Sequence, residues 1–220
     1  MKKAILLSVM AAVTLIPSSL AANDIKIPPR KVRGQTLTST HLPAVRIKFD
    51  KAFKYVGHQS FVLYDVANAE QHFFVDADKQ GRIKRMYWVQ FEGYLPNNTH
   101  SYQYKAIKTV DIGGLSFVAD AQAINVKGNI GRADSDGNRA RAFLVSKGYR
   151  MASDEFLMQR LVHLIDESKR NELLIIYLED LSGMKLTAAD LAKNGAAAAR
   201  WDEISKGLLN RATRGIEITR

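Results

Sequence analysis

The 220 residues carry 32 Lys+Arg against 22 Asp+Glu, a formal charge of +10, and no cysteine. Without a thiol there is no disulfide framework, no lipid on a cysteine, no thiolate metal site and no cysteine nucleophile, so stability has to come from the core. The positive charge is spread along the chain with no long Lys/Arg run, the pattern of a solvated basic surface.

Lys2 and Lys3, the mainly apolar run Ala4–Ile16, Pro17 and the small-residue end Ser19-Leu20-Ala21 have the layout of an export signal over residues 1–21. That run is too short to span a bilayer as a helix, and no later segment approaches the required length. The expectation is a soluble mature protein, periplasmic or extracellular, with no transmembrane span. Export sets the anions such a protein would meet: an envelope surface is a candidate partner and nucleic acid is not expected.

Residues 22–43 hold three prolines, several Ser/Thr and the basic cluster Arg30, Lys31 and Arg33, and read as an irregular N-terminal arm. Residues 44–220 read as a single α+β domain with a weak internal boundary near 127–133. Val45, Ile47 and Phe49 alternate with Arg46, Lys48 and Asp50, the signature of a strand with one wet face. Phe53 and Tyr55 open another apolar stretch, interrupted at Gly57-His58. Phe61–Val66 then makes a strand and Ala67-Asn68 a turn.

Asp78-Lys79-Gln80-Gly81 suits a type I turn closed by a left-handed glycine, the chemistry of a three-residue hairpin loop. Setting Asp78 opposite Arg82 pairs Phe73 with Tyr87 and Gln71 with Val89 on one face. The other face then holds Phe74 with Met86, His72 with Trp88 and Glu70 with Gln90. Phe74, Met86, Trp88 and Tyr94 would surround His72, Glu70, Gln90 and Glu92 on the concave side of a bent sheet, the composition of a ligand cleft. A covering helix is the alternative use of that face.

Pro96–Thr99 is a break, after which Tyr102 and Tyr104 are further aromatic candidates for a cleft wall. Val110–Ile112 and Leu115–Val126 are extended. Short connections between strands favour antiparallel pairing. Helices begin near Asp136; Arg139–Lys147 ends at Gly148, and Ser153 would cap a helix carrying Leu157, Leu161, Leu164 and Ile165. Leu173–Leu178, the most apolar run of the mature chain, reads as a buried strand. Thr187-x-x-Asp190 is a capping box, Trp201, Ile204, Leu208 and Ala212 follow helical spacing, and Ile216 and Ile218 suggest an edge strand. The fold class is α+β: a curved antiparallel sheet of about six to seven strands with a C-terminal helical layer.

The chain has no G-x-S-x-G elbow, phosphate loop, dinucleotide glycine pattern or H-E-x-x-H helix. Asp76–Gly81 resembles the start of a calcium loop, but Tyr87 stands where the bidentate glutamate belongs. Asp134, Asp136 and Asn138 alternate as oxygen ligands would, and capping the following helix uses the same residues. No metal site and no cofactor are expected. These readings point to an exported binding protein for a small apolar or amphipathic ligand, contacted by Phe74, Met86, Trp88 and Tyr94. The alternatives are a cofactor-independent hydrolase or isomerase with His72 as general base oriented by Glu70, and a basic envelope-interaction module.

Overall fold

The structure is a computed structural model and describes residues 30–105, 108–127 and 131–220. The expected export signal and the start of the arm lie outside the described residues. In chain order the strands are β1 (Lys31–Arg33), β2 (Thr36–Thr40), β3 (Ala44–Phe49), β4 (Lys54–Leu63), β5 (Ala67–Ala77), β6 (Arg82–Tyr94), β7 (Thr109–Ile112) and β8 (Leu115–Asn125). Helix α1 (Asp136–Ser146), β9 (Arg150–Met151), β10 (Glu155–Leu164), β11 (Asn171–Asp180), α2 (Ala188–Leu191), α3 (Trp201–Arg214) and β12 (Ile216–Thr219) follow. No helix among the described residues is long and apolar enough to cross a membrane.

The strands form two sheets. A small one has the order β1-β2-β3-β12; a large, antiparallel one has the order β4-β5-β6-β11-β10-β8-β7, with β9 joining the start of β6 in parallel. The antiparallel architecture and the C-terminal helix match expectation, while the strands number more than six or seven and the second sheet is new. Residues 31–33 and 36–40 of the stretch expected as an irregular arm are strands. The cause is a short alternation, Leu37 and Ser39 buried against exposed Thr38 and Thr40, which the prolines on either side mask in the sequence.

Between the two sheets lies the main core. Phe49, Val45, Ile47 and Leu37 of the small sheet meet Phe74, Tyr87, Leu161 and Ile175 of the large one, and Leu208 and Ala212 of α3 close the side. Phe49 stacks on Phe74 with ring centroids 3.9 Å apart. On the opposite side of the large sheet, α1 covers Phe73, Met86 and Trp88 with Ala140 and Leu144. Ser135 caps α1 by accepting from the Asn138 N–H, and Asp136 sits in the first turn.

The turn expected at Ala67-Asn68 falls instead at residues 64–66, with Ala67 opening β5, and three further local expectations change. Residues 155–164 are a strand, not a helix: Leu157 and Leu161 share a face at strand spacing as well as at helical spacing. Gln159 between them is buried, and β8 and β11 pair on both sides. Gly57 does not break its strand but sits in an irregularity of β4, at φ +144°, where an added Cβ would meet the Phe143 ring at 3.0 Å. The third change concerns the hairpin.

Its loop is as expected: the Gly81 N–H donates to the Asp78 carbonyl and the Asp78 N–H to that of Arg82, both at 3.0 Å. Ala77 faces Ile83, but Asp76 faces Arg85, so Lys84 is an extra, unpaired residue. Every pair beyond it is displaced by one. Phe74 faces Tyr87, Phe73 faces Trp88 and His72 faces Val89, which puts the His72 and Trp88 side chains on opposite faces of the sheet.

Candidate functional site

On the α1 side, the register stacks side chains in cross-strand rows. Met86, Leu178 and Met158 make one row; Phe73, Trp88, Ile176, Arg160 and Asp120 make the next; Gln71, Gln90 and Leu174 follow, and Glu92 with Glu172 comes last. The face therefore passes from apolar to polar along the strands. Helix α1 covers the apolar rows incompletely, leaving a cavity of about 570 Å³. Met86, Trp88, Met158, Ile176, Leu178 and Leu144 make its walls, and exposed Lys127, Arg141 and Arg150 stand at its mouth.

The mouth is shaped by the hairpin and the end of α1. Gly148 adopts φ +81° after the helix, and the chain returns so that the Arg150 N–H donates to the Gly81 carbonyl at 3.0 Å. Of the mouth cations, Lys127 is paired with Asp154 at 2.7 Å. Arg141 reaches the Val126 carbonyl and Arg150 no carboxylate, so neither guanidinium has an acidic partner among the described residues.

At the polar end hydrogen bonding runs in one direction. The Trp88 indole can only donate, and it does so to Gln90 Oε1 at 3.1 Å, with Gln71 Nε2 donating to the same oxygen at 2.8 Å. Gln90 Nε2 is thereby turned to Glu92, at 2.5 Å. Tyr102 donates to Glu92 at 2.8 Å and Tyr104 to Glu172 at 2.7 Å. Burial pushes Glu172 up to about 8, the charge of Glu92 adding to the shift while the Tyr104 hydrogen bond and Arg160 oppose it. Burial also raises Glu92, against the bonds from Tyr102 and Gln90. Arg160, which lines the cavity, is held by Asp120 at 2.7 and 3.0 Å and lies over the Tyr104 ring.

Of the residues singled out from sequence, Met86 and Trp88 line this cavity. Tyr94 lies on the same face beyond the carboxylates, stacked on Tyr102 at 4.4 Å. Phe74, His72 and Glu70 project to the other side because of the Lys84 bulge, so the expected single hollow holding both His72 and Trp88 is not formed. Glu172, Arg160, Leu144 and Met158 were not among the expected contacts. The carboxylate pair had one signal, a glutamate at the end of the apolar run in each of two long strands.

His72 has its own network. Its Nε2 is 2.7 Å from Glu70, whose other oxygen accepts from Arg30 at 2.6 Å, and the Tyr55 hydroxyl is 3.2 Å from Nδ1. Burial lowers the imidazole against the opposing pull of Glu70, which favours the neutral ring; Nε2 then faces the carboxylate and Nδ1 the Tyr55 hydroxyl, which is also 3.2 Å from His58 Nδ1. For Glu70, burial alone would raise the carboxyl, yet the His72 hydrogen bond and the Arg30 charge hold it at about 2. The third polar group that a catalytic histidine would need is there, in Tyr55. With both nitrogens engaged and the ring 0% exposed, however, His72 offers no free base.

Among the described residues no three His/Cys/Asp/Glu are grouped to hold a metal ion. In the 134–138 loop, Asp134 is engaged by Arg132 and the Asn138 amide donates to the Gly131 and Arg132 carbonyls. Comparison with family models, curated proteins and solved structures finds no match for this chain.

Proposed function

We propose that this protein binds a small amphipathic ligand, with its apolar body between α1 and the large sheet and an acidic head at Arg141 and Arg150. The observation that carries the reading is the cavity of about 570 Å³. Its size falls within the range of about 300–1,000 Å³ typical of ligand sites. Apolar walls supply affinity for a hydrocarbon body through the area they remove from water. Two guanidiniums without acidic partners among the described residues suit a carboxylate or phosphate, which each can grip with two parallel N–H bonds.

Native mass spectrometry for a retained amphiphile tests this directly. A binding arm uses anilinonaphthalene sulfonate, an apolar anion whose fluorescence rises on leaving water. Met158→Trp fills the hollow from a half-buried position and should abolish the fluorescence gain while the fold persists; Arg141→Gln should weaken binding about tenfold. A folded Met158→Trp protein that binds the dye as wild type does would end the proposal.

A further inference from the structure

The small sheet turns its outer face to solvent, and its register gathers the cations that lie scattered along the chain. One cross-strand row reads Lys31, Thr38, Arg46, Thr219; the next reads Arg33, Thr36, Lys48, Glu217. All four cations are exposed, while Val32, Leu37, Val45 and Ile47 face the core between them. Glu217 is the one acid in these two rows, 3.8 Å from Lys48, with both side chains more than half exposed, so it neutralises little. A shallow hollow of about 290 Å³ opens between Arg46, Lys48, Glu217 and Thr219.

We infer that this face is a docking surface for an anionic phospholipid bilayer. The charge is complementary, and the shape decides between anionic partners. Lys31 and Arg33 on β1 stand two strand spacings, about 9.6 Å, from Arg46 and Lys48 on β3, and alternate residues along a strand are about 6.8 Å apart, so the cations make a two-dimensional array. Such an array suits a plane of independently mobile phosphates better than a single polyanion chain, which one stripe of charge would follow. The threonine hydroxyls between the cations can donate to phosphate oxygens. Leu42, 43% exposed in the turn joining β2 to β3, stands at the border of the face as an apolar contact for the headgroup layer. The face lies across the large sheet from α1, so it is separate from the cavity mouth and the two can be perturbed independently.

The test is co-sedimentation of the full chain with phosphatidylcholine vesicles, with and without phosphatidylglycerol. Binding is expected only with the anionic lipid and is expected to vanish in high salt. Arg46→Gln and Lys48→Gln should each lower partitioning about fivefold, as loss of one surface cation does near an anionic membrane. Lys79→Gln with Lys84→Gln, which removes the same net charge from the hairpin tip, should leave it within about twofold of wild type. The proposal is overturned if the hairpin pair loses as much as the sheet pair, or if folded Arg46→Gln/Lys48→Gln protein binds unchanged. It is overturned too if soluble dextran sulfate outcompetes the vesicles through the same two residues, which would make the partner a polymer.

Discussion

Glu92 and Glu172 stand opposite one another on β6 and β11, each beneath the hydroxyl of a tyrosine from residues 102–104. Two carboxyls so placed, Glu172 buried and Glu92 half-buried, resist carrying two charges, and burial pushes Glu172 up to about 8 while raising Glu92 as well.

A pH dependence of stability follows. A carboxyl whose folded pKa is raised binds its proton more tightly in the native state, so its contribution is full below the unfolded value of 4.5 and is lost as pH rises through about 8. The urea midpoint should fall between about pH 5 and 8, and Glu172→Gln should flatten that fall. A variant retaining the full wild-type slope would remove Glu172 as its source.

Glu70 contributes with the opposite sign. Its folded pKa of about 2 lies below the unfolded 4.5, so its contribution is present above pH 4.5 and disappears as pH falls toward 2. Glu70→Gln should lower the urea midpoint by a constant amount above about pH 5, with the slope there unchanged, and should flatten the acid limb between about pH 4.5 and 2. An acid limb identical to wild type would show that the Arg30–Glu70–His72 network adds nothing to folding.

The Lys84 bulge predicts which residue is dispensable. Deleting Lys84 leaves Ile83, Arg85 and Met86 alternating without interruption and keeps Asp76 opposite Arg85, so all pairs beyond it survive. The variant should fold with a cost of about 1 kcal/mol or less and an unchanged near-ultraviolet Trp signal. An alanine inserted after Trp88 should do the reverse, turning Val89 outward from its core and preventing folding. If the deletion unfolds the protein and the insertion does not, this register is wrong.

Gly113 is the position where a single methyl does most harm. It adopts φ +58°, and a Cβ there would lie 2.0 Å from the Ile218 carbonyl oxygen of β12. Gly113→Ala should cost about 2–3 kcal/mol, read as a lowered urea midpoint. Gly114→Ala shares the left-handed backbone, φ +75°, but meets nothing within 4 Å and should cost about 1 kcal/mol. Equal effects would assign the loss to backbone conformation alone.

How much was legible depended on whether a local pattern had one structural meaning. Val45, Ile47 and Phe49, the Thr187–Asp190 box and the Trp201–Ala212 stripe each specify one element, and each is found. Leu157 and Leu161 fit a helix or a strand equally, and only the two flanking strands decide between them. The site failed for a subtler reason: the turn chemistry was right, but one unpaired residue exchanged the faces. Its trace in the sequence is the spacing of Ile83 and Met86, three apart where two would continue the strand. The cavity itself depends on where α1 lands, and nothing near Met86 or Trp88 encodes that.

The small sheet is finished only when residues 216–219 pair with residues 46–49. A nascent chain leaving the ribosome can build the large sheet through β11 while β3 still exposes one backbone edge, and the inter-sheet core has no α3 to close it. Cooperative burial must therefore wait for the last strand to emerge. Until then the unfinished edge of β3 is open to pairing with other chains.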